Sequence, residues 1–176
     1  MIRILKLWLC GIAFAIASML PAQTKHGDSI AAVRHFAQGF YDWYTPIARS
    51  DSGPAAETAI KRKPAMFSTQ LVSALRADFA ASAKAKGEIV GLDFDPFVSG
   101  QDPCERYEVG KVARDRNSYR VDVYAVCAGK RSESAHVIAD LQASNGSWRF
   151  VNFHYPRSHD DLLSVLKALK KQRQQT

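Results

Sequence analysis

The sequence predicts an α+β fold in which helices come first, a four-stranded antiparallel meander follows and a further helix ends the chain. Three observations lead to this prediction. Apolar residues recur at helical spacing over 29–47 and again over 68–85. Apolar and polar residues alternate over 118–127, as they do in a half-buried strand. The pair Asn145-Gly146, a strong signal for a tight hairpin turn, separates two more strand-like segments.

The N-terminal 22 residues have the layout of a secretory signal peptide. Arg3 and Lys6 precede an uncharged apolar run, and a small-residue cleavage site follows at Ala22. The run is shorter than a membrane-spanning helix requires. We therefore expect cleavage near Ala22 and a periplasmic or secreted protein, with membrane association only if the segment is retained as an anchor.

Three segments are expected: a signal peptide over 1–22, an α+β domain over 23–157, and an amphipathic basic helix over 158–176. The full chain carries a net charge of +7. That basicity suits anionic surfaces or an acidic partner. Nucleic acid is not expected as a partner, because no basic stripe with interleaved aromatic residues occurs and the compartment is extracytoplasmic.

The helical elements have recognisable starts and ends. Asp28 or Ser29 is expected to cap the first helix, because each can accept a free backbone N–H. A short helix is expected over 55–61. Ser68 is expected to cap the next long helix, which Gly87 would end.

The segment 88–104 is expected to be irregular, with a possible short strand at 89–92, and to pack down on the core through its apolar residues. It contains three aspartates, Asp93, Asp95 and Asp102. Calcium is one interpretation of such a group, but the spacing does not match a calcium loop. The prolines that follow Asp95 and Asp102 are more typical of side chains that hydrogen-bond their own turn. No metal is therefore expected, and the sequence implies no cofactor.

Four strands are predicted, at 106–113, 118–127, 133–143 and 147–155. The first two hairpin loops are expected to have four residues each, Arg114–Asn117 and Ala128–Arg131. The third is expected to be a two-residue turn at Asn145-Gly146.

Two cysteines, Cys104 and Cys127, follow the signal segment. A two-cysteine chain in an oxidising compartment suggests one disulfide. A hairpin centred on Arg114–Asn117 would also bring the two thiols opposite each other at the end of the first strand pair. The alternative is a pair of buried free thiols.

The same hairpin arithmetic places polar side chains together on one sheet face. It pairs Val137 with Asp122, Ala139 with Arg120, Ala139 with Asn152, and Val137 with His154. One end of the face would then be apolar, with Trp148, Phe150 and Leu141. The other end would carry the candidate ligand-binding set, which consists of Arg120, Asp122, Tyr124, Asn152 and His154. In a pocket, His154 and Asp122 could exchange a proton and Arg120 could hold an anion. The alternative is an uncovered, solvated part of the sheet, because a one-residue bulge would exchange the faces.

The first helix contains Phe40-Tyr41-Asp42-Trp43-Tyr44, and the central loop contains Asp95-Pro96-Phe97 and Gln101-Asp102. These short motifs resemble those of an uncharacterised family of exported bacterial proteins and lipoproteins, a domain of unknown function. The resemblance implies an NTF2-like (cystatin-like) cone, with a sheet curved around the helices. It also implies that the loop motifs brace the loop against the first helix, with Trp43, Tyr44 and Phe97 in the core. Unlike the lipoprotein members, this sequence has no good lipidation motif.

The expected function is a non-catalytic binding module of the cell envelope, of the immunity or accessory type, whose partner is a protein or an envelope component. The alternative is a small-molecule pocket or an enzyme that uses Asp122, Tyr124, Asn152 and His154. The sequence lacks G-x-S-x-G, H-E-x-x-H and a phosphate-binding glycine loop. This lack disfavours the common hydrolases and nucleotide enzymes, and an enzyme is not the preferred interpretation.

Overall fold

Helices pack on one face of a six-stranded antiparallel sheet in the computed structural model, which describes residues 26–50, 53–85 and 90–175. The predicted signal segment, Gly87 and the start of the possible strand at 89–92 lie outside the described residues. In chain order the elements are α1 (His26–Ala48), α2 (Ala55–Arg62), a 3₁₀ turn (Pro64–Met66), α3 (Thr69–Ser82), β1 (Arg106–Asp115), β2 (Ser118–Cys127), β3 (Lys130–Arg131), β4 (Val137–Ser144), β5 (Ser147–Tyr155), β6 (Asp160–Asp161) and α4 (Leu162–Gln172).

The α+β class, the antiparallel sheet and the C-terminal helix are confirmed, but the strand count is six instead of four. The sheet order is β1-β2-β4-β5-β6, and β3 pairs with β2. The two additional strands, β3 and β6, have only two residues each. Segments this short carry no alternation, so the sequence pattern could not reveal them. No helix in the described ranges is long and apolar enough to span a bilayer.

Helix α1 starts earlier than predicted. It begins at His26, so Asp28 and Ser29, the two residues predicted to precede it as caps, lie inside the helix. Pro46 lies in the last turn, where the backbone hydrogen bond that it cannot donate is lost at little cost to the rest of the helix. The Ser68 cap of α3 is confirmed, because its hydroxyl accepts the Leu71 amide at 3.2 Å.

The first hairpin has a tighter turn than predicted. Asp115 pairs with Ser118, which leaves only Arg116 and Asn117 in the loop, and Arg116 has a φ of 52°. The prediction of a four-residue loop, Arg114–Asn117, is therefore wrong. A bulge between Val109 and Val112 then shifts the register toward the far end of the hairpin.

The structure places Cys104 and Cys127 in a disulfide, with their Cα atoms 4.8 Å apart. The register shift brings Arg106 opposite Val126. The two cysteines thus meet just beyond the paired part of the hairpin, as the hairpin arithmetic predicted, although the turn on which it was centred is different.

The second turn is also shorter than predicted. Ala128 and Gly129 form it, both with positive φ, and Lys130 already pairs with Cys127. Glu105 stabilises this turn by accepting both turn amides, at 2.8 Å and 2.6 Å. The prediction of a four-residue loop, Ala128–Arg131, is therefore wrong.

The register of β4 on β2 differs by one residue from the prediction. The chain bends away over 132–136, and β4 begins at Val137 and not at 133. Val137 then pairs with Val123, where Asp122 was predicted. Ala139 pairs with Val121, where Arg120 was predicted.

The Asn145-Gly146 turn is confirmed, with φ values of 49° and 76°. The pairs Ala143–Trp148 and Leu141–Phe150 are confirmed as well. Beyond them a bulge between Asp140 and Leu141 shifts the register by one residue.

This bulge overturns the other two pairs predicted for the last hairpin. Ala139 pairs with Phe153, where Asn152 was predicted, and His154 lies opposite Ile138, where Val137 was predicted. The extra residue turns both Phe150 and Phe153 into the core.

Aromatic rings fill the space between α1 and the sheet. Phe40 lies at their centre, with ring centroids 5.6 Å from Phe67, 5.6 Å from Phe97 and 4.9 Å from Phe150. The central loop packs down as expected, because Phe97 and Val98 are buried. This core occupies the inner face of the sheet, on the side of the helices.

Candidate functional site

The five sheet residues predicted as a ligand-binding set share the outer face of the sheet. Along β2 the odd-numbered residues from Tyr119 to Ala125 are buried in the core, and the even-numbered ones from Ser118 to Tyr124 are half-buried on the other side. Asn152 and His154 on β5 are half-buried on that same outer face. We call this surface the outer face; it is formed by Glu108, Arg120, Asp122, Tyr124, Arg131, Asp140, Asn152 and His154.

The prediction that this face has an apolar end with Trp148, Phe150 and Leu141 is wrong. Leu141 and Phe150 are fully buried on the inner face. Trp148 packs edge-on against Tyr119, which is also a core residue. The bulge beside Asp140 adds one residue to β5, so the side to which β5 residues point changes there. Phe150 therefore lies on the opposite face from the polar set.

Asp140 is the centre of the outer face, although it is not one of the five residues predicted from the sequence. His154 Nε2 lies 2.6 Å from Asp140 Oδ2, and Arg120 Nε lies 3.5 Å from Asp140 Oδ1. His154 therefore pairs with Asp140 and not with Asp122, which lies opposite Ile138. A signal was present, because Asp140 is the only charged residue in the β4 sequence.

Tyr124 and Arg131 form a stacked pair beside this cluster. The Arg131 guanidinium carbon lies 3.6 Å from the centre of the Tyr124 ring. Arg131 Nε also lies 3.2 Å from Glu108, which binds Arg106 at 3.0 Å. Gly110 makes the arrangement possible, since a side chain there would overlap the Tyr124 ring. The tyrosine and the arginine are thus held in place by neighbours on both sides.

Both polar atoms of the Asn152 side chain are already hydrogen-bonded within the fold. Its Nδ2 donates to Asp161 Oδ1 at 2.7 Å, and its Oδ1 accepts the Leu163 amide at 3.2 Å. Asp161 caps α4 by accepting the Ser164 amide at 3.1 Å. Burial raises the pKa of Asp161, but hydrogen bonds from Asn152 and Ser164 outweigh burial and hold it below its ordinary value.

The loop motif Asp95-Pro96-Phe97 is braced against α1, as the family resemblance implies. Tyr44 Oη donates to Asp95 Oδ2 at 2.5 Å, and Tyr41 Oη donates to the Phe97 carbonyl at 3.0 Å. Asp95 also accepts the Phe97 amide at 2.9 Å, which is the turn role predicted for it. Burial raises the pKa of the Asp95 carboxyl, against the opposing effect of the Tyr44 hydrogen bond.

The remaining motif residues have local roles. Gln101 donates to the Asp93 carbonyl at 2.9 Å, while Asp102 is exposed. Tyr44 and Phe97 are fully buried. Trp43 is only half-buried, and Lys63 Nζ lies 4.4 Å from its ring centre.

A groove of about 530 Å³ lies away from the outer face. It is formed between the ends of α1 and α3 and the central loop, where Phe79, Leu92 and Phe94 contribute to its wall. None of the residues that define the outer face lines it. Among the described residues there is no group of three or more His, Cys, Asp or Glu that could hold a metal ion.

The Asp140–His154 pair could orient and polarise an imidazole. Within the described ranges, however, the hydrogen bonds of the His154 ring involve only Asp140, and no serine, threonine or cysteine is bonded to it. A dyad with no adjacent nucleophile provides charge and hydrogen bonds but no complete hydrolytic site.

The sequence matches no protein-family model and no curated protein. Two solved structures are similar to it. A chain of the type VI native effector-immunity complex Tae3-Tai3 from Ralstonia pickettii is 21% identical, with a TM-score of 0.46, and the match covers 69% of this chain and 92% of that one. A protein of unknown function from Bacteroides thetaiotaomicron is 17% identical, with a TM-score of 0.49, and the match covers 72% of this chain and 92% of that one.

Proposed function

We propose that this protein is an exported binding module of the cell envelope, of the immunity or accessory type, which binds another protein through its outer face. The observation that carries the proposal is the preorganised, open arrangement of Arg120, Tyr124, Arg131 and His154 on one side of the sheet. The disulfide supports export, because such bonds persist in oxidising compartments.

On both lateral edges of the sheet, some of the outward backbone groups are already bonded within the protein. Along β1, the Gln38 side chain donates to the Tyr107 carbonyl at 3.0 Å and accepts the Val109 amide at 2.8 Å. Along β5, the Ser68 amide donates to the Phe150 carbonyl at 2.8 Å, and β6 pairs farther on. These bonds disfavour strand addition at the positions they cover, so we expect a partner to approach the face instead.

The chemistry of the face suits a protein surface. Arginine and tyrosine are among the side chains enriched at the centres of protein interfaces, because each combines a broad apolar area with directional hydrogen bonds. The neighbours of Tyr124 and Arg131 hold them in place before binding, which lowers the entropy lost on association. The residues of the outer face do not line the groove described above. Small ligands usually bind in such concave sites, so the outer face suits a macromolecule better than a small ligand.

The alternative, a small-molecule pocket or enzyme built on Asp122, Tyr124, Asn152 and His154, has one observation in its favour. The 2.6 Å contact between His154 and Asp140 resembles the orienting pair of an acid–base site. Against it, Asn152 is committed to the start of α4.

Native mass spectrometry of protein purified from the envelope fraction tests the proposal. We expect a complex with a second protein, which the double variant Arg120→Ala/Tyr124→Ala abolishes. The matched control is Arg62→Ala/Lys84→Ala, two exposed residues on the helical side. Circular dichroism verifies that both variants fold.

Two results would overturn the proposal. One is a complex that survives in the outer-face variant. The other is a small adduct in place of a protein partner; if His154→Ala removes that adduct, the pocket alternative is the correct one.

A further inference from the structure

We propose that the groove between α3 and α4 binds an acidic, partly apolar segment of a partner protein. The groove has a volume of about 500 Å³. It lies on the helical side of the molecule and shares no residue with the outer face, so this proposal does not rest on the function proposed above. Its walls include Ser73, Ala74 and Ala77 from α3, and Leu163, Lys167 and Lys170 from α4.

The groove has a cationic rim with no carboxylate in it. Lys167 and Lys170 are exposed, and neither has an ion-pair partner within the described ranges. On the outer face, by contrast, Glu108 binds Arg106 and Arg131. The unpaired cations of the groove are therefore available to carboxylates from another molecule.

The end of α4 does not by itself account for these lysines. Cations in the last turn of a helix interact favourably with its dipole, and Lys170 and Lys171 fit that role. Lys167 lies before the last turn, where the dipole effect has fallen off. Its position at the groove is the feature that needs another explanation.

The floor of the groove is apolar and its length suits a short segment. Ala74 and Leu163 are half-buried there, and Leu166 is 4% exposed. From Leu163 to Arg173 the wall extends about 15 Å at the rise of an α-helix, which matches about ten residues of a helical partner. Apolar groups on such a segment would cover the floor, and its carboxylates would meet the lysines.

An ion pair fixes the two walls relative to each other. Arg173 Nη1 lies 2.6 Å from Asp78 Oδ1 and donates to the Val90 carbonyl at 2.6 Å. Asp78 is on α3 and its side chain is 2% exposed. The groove therefore exists before a partner arrives, and binding need not order it.

A protein segment fits this site better than a lipid surface. A helix that binds membranes inserts a continuous apolar face between the headgroups. In α4 that face is already used, because Leu162 and Leu166 are buried in the core. What remains is a concave strip with charged edges, which a flat bilayer cannot enter.

Fluorescence anisotropy with a labelled peptide tests the proposal on the whole chain. The probe is a synthetic helix of about ten residues with glutamate and leucine at helical spacing. We expect it to bind more tightly than a counterpart with glutamine for every glutamate. The variant Lys167→Glu/Lys170→Glu should lower its affinity at least about tenfold.

Two further variants separate the groove from general charge. Ala77→Phe fills the groove without changing the charge and should also weaken binding. Lys111→Glu/Lys130→Glu makes the same charge change on the sheet side and should leave binding unchanged.

Equal binding of the glutamine peptide, equal weakening by the sheet-side control, or no binding at all would overturn the proposal. Binding to phosphatidylglycerol vesicles without binding to the peptide would show that the occupant is a lipid headgroup.

Discussion

Asp78 and Arg173 are 95 residues apart in the sequence and meet in a 2.6 Å ion pair. The second carboxylate oxygen of Asp78 accepts the Leu92 amide at 3.0 Å. One buried carboxylate thus joins α3, the central loop and the end of α4. Gly91 permits this close approach, because a Cβ there would lie 2.8 Å from Asp78 Oδ2.

Removing Arg173 should destabilise the protein strongly. In Arg173→Ala the Asp78 carboxylate would stay buried without its cation, and we expect the free energy of unfolding to fall by about 3 kcal/mol. Urea denaturation measures this loss. Lys171→Ala, which removes an exposed cation from the same helix, is the control and should change stability by less than about 0.5 kcal/mol. Equal effects of the two variants would show that the ion pair is not an anchor.

Removing the disulfide should destabilise the fold without unfolding the sheet. The bridge links residues 23 apart in the sequence. A loop of that length stabilises a protein by about 3 kcal/mol, mainly by restricting the unfolded chain. Cys104→Ala/Cys127→Ala should therefore lower the urea midpoint, with a native-like circular dichroism spectrum below it. An unchanged midpoint would contradict this.

The Asp95 carboxyl should titrate above the ordinary value of 3.8, because burial disfavours its charged form. An acid whose folded pKa exceeds its unfolded pKa opposes folding when ionised. This cost is complete above the folded pKa and is relieved as the pH falls through the folded pKa toward the unfolded one. Carboxyl carbon NMR gives the titration midpoint directly.

Tyr44→Phe should raise that midpoint further. The Tyr44 hydroxyl donates a hydrogen bond that stabilises the Asp95 carboxylate, so its removal leaves burial less opposed. Thr58→Ala, a substitution on α2 away from the loop, serves as the control. If the midpoint moves downward in Tyr44→Phe, the assigned direction of that hydrogen bond is wrong.

Removing the side chains that cover the outer edge of β1 should promote self-association. Gln38 and Arg34 bond the outward backbone groups of Tyr107, Val109 and Gly110, which would otherwise be free to pair with another strand. In Arg34→Ala/Gln38→Ala we expect dimers or larger species by sedimentation velocity. His35→Ala, an exposed change on the same helix, should sediment like the unmodified protein.

Replacing His154 should leave stability almost unchanged. The contact between His154 and Asp140 is one hydrogen bond between side chains that are 28% and 19% exposed, and such a bond contributes about 1 kcal/mol to stability. We expect the melting temperature of His154→Ala to lie within a few degrees of that of the unmodified protein. A large loss would mark His154 as a residue of the fold and remove it from the binding surface.

Several parts of this structure could be read from local pattern. The apolar stripe of α3, its Ser68 cap and the Asn145-Gly146 turn each depend on residues a few positions apart, and each is found where expected. The braced loop around Asp95 also agrees with the expectation drawn from its motif.

Asp78 carried a local signal that was missed. It lies seven residues, or two helical turns, after Leu71 and three residues after Leu75, and thus occupies a position on the apolar side of α3. A carboxylate at such a position requires a partner. The pattern could not say that the partner is Arg173.

The sequence by itself determined the fold class, the long helices, the four main strands and the approach of Cys104 to Cys127, because period and turn chemistry are local. Only the tertiary structure decided which polar side chains meet. Bulges at 109–112 and 140–141, and the bend at 132–136, each change the register, and a shift of one residue exchanges the faces of a strand. That is why His154 meets Asp140 and not Asp122.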